Sequence, residues 1–308
     1  MIDRTVRLEI NGSTQKIRMC AEREGLPALL IVQAGPGFPL LHEITKFQRR
    51  LKLEKDFLVC YWDQRGCGTA SPQDIECASL QQQVDDLCAV LRWLKSETQQ
   101  DIVLLGISLG ATFALQAAGR EGDCIKSVVA ISPDADIPGS DASASTFLRA
   151  QSEHSPRLKT KLEKLGAPPY LDPARFQLRA QLLADLGCIE RGKGFWGLLR
   201  ETFFSLIRTY GLLGTVRAMK NMRLIQRKLL PQLASLSLFL NPPRLTVPVH
   251  YVFGQHDPLA SPEISEQLAI AVTADGSTAT QVPDAGHMAH FDQPRVVRCI
   301  LLTAAQSG

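Results

Sequence analysis

The chain has 308 residues, enough for one large domain or two ordinary ones. Hydrophobic residues make up 45% and charged residues 21%, an average globular composition that excludes a disordered, collagen-like or coiled-coil protein. No apolar run approaches the roughly 20 residues of a membrane helix, and the N-terminal sequence MIDRTVRLEI lacks the apolar core of a signal peptide. We therefore expect a cytoplasmic protein without a transmembrane segment.

The net charge of +3 is unevenly distributed along the chain. Residues 149–244 contain 17 Lys plus Arg against 6 Asp plus Glu, a local excess of +11, and the other residues carry −8. No nucleic-acid motif accompanies the basic stretch, so we expect a solvated helical surface and no nucleic-acid partner. An anionic substrate, an acidic partner or a membrane surface are the alternatives.

Short apolar runs alternate with helical patterns over the first 131 residues. Apolar and polar residues alternate in segments 4–10 and 15–20, which flank Asn11 and Gly12. This pattern predicts a β-hairpin with a turn at Asn11 and Gly12. Apolar runs at 28–32 and 57–62 predict strands buried on both faces, and further strands are predicted at 102–107 and 127–131. Helical spacing is found at 80–94 and 109–118. Strands that alternate with helices predict a mostly parallel sheet.

The alternation stops after residue 131. Pro133, Pro138 and Gly139 mark a predicted boundary, and residues 149–240 predict several helices without a strand. Strands are predicted again at 249–253 and 278–282, with helices at about 262–272 and from about 294. The pattern predicts an α/β fold whose mostly parallel central sheet is flanked by helices. Residues 1–133 and 246–308 would form this core, and residues 134–245 an inserted helical cap.

The segment DIVLLGISLGATFALQAA places a GxSxG motif, residues 106–110, between a predicted strand and a predicted helix. This is the context of the nucleophile elbow, a sharp turn that exposes a serine at the carboxyl edge of a sheet. Side chains at Gly106 and Gly110 would collide with neighbouring backbone in such a turn. We therefore predict that Ser108 is a nucleophile.

A serine hydroxyl needs a base, and the base needs an acceptor that orients it. His287 follows a predicted strand and is the preferred base, with His290 as its nearest rival. Asp257, just past another predicted strand, is the preferred acid, and Asp284 is the alternative. The chain order serine, aspartate, histidine is that of α/β-hydrolases.

The oxyanion of acyl transfer needs two N–H donors. One is the amide of Leu109, which follows the nucleophile, and the second is expected in the loop after the first buried strand. Pro36 has no N–H, so Gly35 is the candidate. A plain Pro/Gly turn is the alternative interpretation. No metal or organic cofactor is needed, and the eight cysteines match no zinc spacing.

The core resembles α/β-hydrolases of the proline iminopeptidase group. The matching segments are QAGPG at 33–37, DQRGCG at 63–68, GISLG at 106–110, GQHD at 254–257 and AGH at 285–287. The resemblance covers about two thirds of the chain and implies the α/β-hydrolase fold with a helical cap. It also implies that Asp63 and Arg65 support the site structurally, whereas a surface ion pair is the alternative.

Three positions depart from the family pattern. Gln33 replaces the family histidine, Ala34 the first glycine, and Leu109 the tryptophan of the elbow. In iminopeptidases, carboxylates of the cap hold the substrate's free amine. Glu190 and Glu201 are the candidates here, although neither aligns with the family positions.

These observations predict a serine hydrolase that works through an acyl-enzyme. The resemblance implies an aminopeptidase for short peptides with N-terminal proline or another small residue. An esterase, lactonase or thioesterase for a small acyl compound, either anionic or neutral, is the alternative, and a ligand-binding sensor on a hydrolase scaffold is a third hypothesis. The apolar segment 195–213 is interpreted as the packing face and pocket roof of the cap, with weak membrane contact as the alternative.

Overall fold

The structure, a computed structural model, describes residues 1–306, which contain one eight-stranded sheet. The strands are β1 (Ile2–Ile10), β2 (Ser13–Ala21), β3 (Ala28–Val32), β4 (Leu58–Asp63), β5 (Ile102–Ile107), β6 (Ile125–Ile131), β7 (Val249–Gly254) and β8 (Thr278–Val282). Their order across the sheet is β1-β2-β4-β3-β5-β6-β7-β8. Strand β2 is antiparallel to β1 and β4, and all other neighbours are parallel.

The predicted hairpin is confirmed. Asn11 and Gly12 have φ values of 47° and 75°, the left-handed conformations that their residue types tolerate in a two-residue turn. Ile10 pairs with Ser13 across that turn, which fixes the register of β1 on β2.

Helices cover both faces of the sheet. The helices are α1 (Ile44–Arg50), α2 (Pro72–Glu76), α3 (Leu80–Thr98), α4 (Leu109–Ala118), α5 (Ile137–Ser152), α6 (Pro156–Leu165), α7 (Pro173–Asp185), α8 (Phe195–Leu229), α9 (Pro262–Ala271), α10 (Ala289–Asp292) and α11 (Pro294–Gln306). Strands β3, β5 and β7 are buried along their whole length, as predicted for strands covered on both sides. One apolar cluster lies on each face, around Leu104 and around Ile31.

Helices α5 to α8 form the long insertion between β6 and β7. The insertion becomes helical at Ile137, so the predicted boundary residues Pro138 and Gly139 lie in the first turn of α5. Proline is accommodated in a first helical turn because its missing N–H would have no partner there. The carboxylate of Asp136 caps the helix by accepting the Gly139 N–H at 3.2 Å.

Helix α8 is broken at Gly211, whose φ of 69° and ψ of 177° are not helical. Its inner side packs on the core: the Asn221 amide donates to Gly68 O at 3.0 Å. Across residues 1–306, no helix is both long enough and apolar enough to cross a membrane.

Candidate active site

Ser108 lies in the sharp turn between β5 and α4. Its φ of 54° is uncommon for a residue with a side chain and is typical of strained functional turns. A Cβ on Gly106 would lie 2.4 Å from Ala111 Cα, and one on Gly110 would lie 2.3 Å from Val32 O. The two glycines are therefore required by close backbone contacts.

The structure brings Ser108, His287 and Asp257 together. Ser108 Oγ lies 2.9 Å from His287 Nε2, and His287 Nδ1 lies 2.8 Å from Asp257 Oδ2. All three residues are buried, with at most 7% of each accessible to solvent. These three side chains, hereafter the triad, form one hydrogen-bonded chain although they are far apart in sequence.

Each member of the triad follows a parallel strand, so topology alone carries it to one sheet edge. Asp257 follows β7, and its Oδ1 accepts the N–H groups of Leu259 at 2.9 Å and Ala260 at 3.2 Å. His287 follows β8, and its backbone N–H donates a hydrogen bond to the backbone carbonyl of Cys188, in the insertion, at 2.8 Å. Asp257 and His287 are therefore held by backbone contacts as well as by each other.

Burial lowers the pKa of His287, but the charge and hydrogen bond of Asp257 outweigh it and hold that pKa above its usual value. Burial raises the pKa of Asp257, but interaction with His287 and the two loop amides brings it below its ordinary value. The arrangement therefore favours an imidazolium paired with a carboxylate, the charge state that a base reaches after it accepts a proton.

Gly35 lies next to Leu109, the residue that follows Ser108. A Cβ on Gly35 would be 3.4 Å from Leu109 Cδ2, so the two residues are neighbours. Among residues 1–306 neither N–H has a hydrogen-bond acceptor, whereas the N–H of Ala34 is bound by Gln33 Oε1 at 3.1 Å. Gly35 and Leu109 thus have free donors in the region where an oxyanion hole was predicted.

Asp63 and Arg65 are both buried, so the alternative of a surface ion pair was wrong. Asp63 accepts the Leu40 N–H at 2.7 Å and the hydroxyl of Tyr210 at 2.5 Å, which ties the core to α8. Arg65 instead binds Asp86 through Nε at 2.7 Å and Nη2 at 3.0 Å. Asp63 therefore connects the core to α8, whereas Arg65 connects the loop after β4 to α3.

The cap carboxylates Glu190 and Glu201 are paired with lysines of the protein itself. Glu190 lies 2.7 Å from Lys46 and 2.7 Å from Lys193, and Glu201 lies 2.5 Å from Lys193. Neither glutamate hydrogen bonds to a residue of the triad. The structure therefore gives no support to either as a free acceptor for a substrate amine.

The rival acid and base lie elsewhere. Asp284 is exposed and pairs with Arg191 at 3.3 Å. His290 is buried and stacks on Phe47 with the ring centroids 5.4 Å apart, and burial holds the pKa of His290 well below its ordinary value.

Sequence reasoning missed Asp134, whose Oδ2 lies 3.4 Å from Ser108 Oγ. Burial raises the pKa of Asp134 to about 6, although its residue surface is still partly exposed. The available signal was its position just past β6, at the same sheet edge as the triad. A second carboxylate therefore lies beside Ser108.

A charged cleft of about 200 Å³ lies between α1 and α8. Its walls include Glu43, Lys46, Arg49, Glu201 and Arg208, but no residue of the triad. Within residues 1–306, no three His, Cys, Asp or Glu side chains are grouped so that they could bind a metal.

Comparison with known proteins assigns the family. A sequence model of the alpha/beta hydrolase family matches residues 33–298. The chain is 25% identical over 298 residues, 93% of its length and 91% of the relative's, to a Bacillus subtilis (strain 168) protein named "Probable aminopeptidase YbaC".

Two solved structures share the fold over nearly the whole chain. The proline iminopeptidase of Mycobacterium smegmatis superposes with a TM-score of 0.70 and 19% identity, covering 99% of both chains. The enol-lactonase of Burkholderia xenovorans LB400 superposes with a TM-score of 0.58 and 17% identity, covering 98% of this chain and 100% of that one. The chain therefore belongs to the alpha/beta hydrolase family, within which it is similar to proline iminopeptidases.

Proposed function

We propose that this protein is a serine hydrolase that forms an acyl-enzyme on Ser108. The single observation that carries the proposal is the unbroken hydrogen-bonded chain from Ser108 through His287 to Asp257. A hydroxyl, an imidazole and a carboxylate in this order can remove the serine proton as the new bond forms.

In the proposed reaction, Ser108 Oγ attacks the substrate's carbonyl carbon while its proton passes to His287 Nε2. Asp257 stabilises the resulting imidazolium through Nδ1. The tetrahedral intermediate collapses when His287 returns the proton to the leaving amine or alcohol, which leaves an ester on Ser108. Water then attacks that ester with His287 again as base, and the free acid departs as Ser108 regains its proton.

The N–H groups of Gly35 and Leu109 are the proposed donors to the oxyanion. Support comes from their adjacency and from the absence of any other acceptor for them among residues 1–306. Loss of one such donor typically costs roughly 3 to 4 kcal/mol of transition-state stabilisation.

For the substrate, we favour a short peptide with a free N-terminal amine, on proline or another small residue. The names of the Bacillus and Mycobacterium proteins support this activity. Asp134 gives independent support, because a carboxylate beside the nucleophile can pair with an ammonium group close to the scissile bond. In this proposal Asp134 takes the place that Glu190 and Glu201 had in the sequence-based hypothesis.

The second candidate is ester or lactone hydrolysis. It is favoured by the pairing of Glu190 and Glu201 with lysines, which leaves the insertion without a demonstrated acceptor for an amine. The likeness to an enol-lactonase fold is compatible with it.

Matched substrates separate these activities. We expect cleavage of prolyl p-nitroanilide, and little cleavage of its N-acetyl derivative, if the free amine is recognised. Hydrolysis of p-nitrophenyl acetate and butyrate without any anilide cleavage would instead support the esterase. Ligand binding with no turnover of either series would contradict both and favour a sensor.

A further inference from the structure

The outward side of α8 is unusually apolar for a protein surface. Its large exposed side chains include Trp196, Phe204, Leu212, Leu213 and Val216. Trp196 is 71% exposed and Leu213 is 86% exposed, so these residues do not complete the core. Clustered exposed side chains of this size typically mark an interaction surface.

The same side of α8 is also strongly basic. Residues 202–229 contain no Asp or Glu. The exposed cations of the helix are Arg200, Arg208, Arg217, Lys220, Arg223 and Arg227. Within residues 1–306 none of these six forms an ion pair with a carboxylate. The surface therefore has an unneutralised positive charge.

Helical spacing places the two kinds of side chain on the same stripe. Before the break, positions 196, 199, 200, 203, 204 and 208 are exposed, and after it positions 212, 213, 216, 217, 220, 223 and 227 are exposed. These intervals of three and four residues keep one side of each half-helix outward. We call these exposed residues the outer face of α8.

The break at Gly211 forms a corner in the outer face. Nothing lies within 4 Å of where a Cβ on Gly211 would be, so the corner is open on that side. Leu212, which is 65% exposed, and Leu213 follow directly and project from it. A pair of exposed leucines near arginines that have no carboxylate partner combines the two contacts that interfacial helices make with lipid.

We propose that the outer face of α8 docks on the surface of an anionic lipid bilayer, with Leu212, Leu213 and Trp196 inserted among the headgroups. Anionic headgroups would neutralise the free cations while the apolar side chains leave water. A second copy paired through the same face would oppose one set of cations with another, which disfavours that occupant. The contact lies along the surface, since no described helix can span a bilayer.

The inner side of the same helix packs on the loops of the candidate active site. Ile225 lies against Gly37 and Gly66, and Tyr210 binds Asp63. Docking would therefore hold the core with these loops towards the lipid surface, without any requirement that the enzyme acts on lipid.

Vesicle binding tests the proposal with the full chain. We expect cosedimentation with vesicles of equal parts phosphatidylglycerol and phosphatidylcholine, and at least tenfold weaker binding to phosphatidylcholine alone or in 500 mM salt. Emission of Trp196 should shift to the blue on binding, and a Trp196→Phe variant should lose that shift. The double variants Leu212→Ser/Leu213→Ser and Lys220→Glu/Arg223→Glu should each bind at least tenfold more weakly.

Ile270→Ser is the matched control, because Ile270 is 78% exposed on α9, outside the outer face. It should bind as the unsubstituted protein does, and circular dichroism should show that all variants are folded. Folded protein that ignores anionic vesicles, or whose binding survives both double variants, would overturn the proposal. So would a dimer in sedimentation that the leucine variant dissociates, or binding of soluble acidic proteins with no binding of vesicles.

Discussion

The sheet core and the outward side of the helical insertion differ in how their charges are paired. In the core, the candidate chemical groups are buried and paired: His287 with Asp257, and Arg65 with Asp86. In the insertion, carboxylates such as Glu190 pair with lysines, while exposed arginines of α8 such as Arg223 and Arg227 have no carboxylate partner. In the account proposed here, the core supplies the reaction and the outward side of the insertion holds the protein at a lipid surface.

The largest expected effect is the loss of kcat when the proposed base in the core is removed. His287→Ala removes the proposed base, and in comparable triads such a loss lowers kcat about a millionfold. Steady-state kinetics on the best substrate measures it. His290→Ala serves as a comparison that should retain far more activity, and equal losses in the two variants would contradict the assignment of the base.

The next largest effect on kcat is expected from replacing the aspartate that orients the base. Asp257→Asn should lower kcat by about ten thousandfold, because an amide no longer favours the imidazole tautomer that accepts the serine proton. Asp284→Asn, at the exposed rival position, should leave kcat nearly unchanged. A reversed pair of results would assign the role to Asp284.

The free energy of unfolding can be used to compare a buried ion pair of the core with an exposed one. Arg65→Met leaves the carboxylate of Asp86 buried without its cation, so we expect a loss of about 3 to 5 kcal/mol in the free energy of unfolding. Arg120→Met breaks the exposed pair with Asp85 and should cost at most about 1 kcal/mol. Urea denaturation of both variants measures the difference, and similar losses would contradict the distinction.

The smallest effect concerns pH. Burial opposes protonation of His287, but Asp257 and, to a smaller extent, Asp134 raise its pKa. The base must be neutral, so activity falls below that pKa. Asp134→Asn removes a negative charge, lowers the pKa of His287 and should move the acid limb of kcat/KM to lower pH. An unchanged or upward-shifted limb would contradict this account of Asp134.

The same contrast explains what sequence could predict. The strand-turn-helix pattern around Ser108 and the glycines at 106 and 110 are local signals, and parallel topology carries Asp257 and His287 to the same edge. The partners of Glu190 and Glu201 depend on how distant helices pack, which no local pattern encodes. Asp134 carries no comparable local signal, because it begins a Ser/Ala/Asp-rich stretch whose composition predicts a boundary after β6.

Covalent labelling tests the central claim most directly. A fluorophosphonate probe added to the purified full-length protein, followed by intact-mass and peptide mass spectrometry, should give one adduct per chain on Ser108. Ser108→Ala should lose both the adduct and nearly all turnover while remaining folded. Undiminished turnover by pure Ser108→Ala, or an adduct confined to another residue, would contradict the proposed nucleophile and the mechanism built on it.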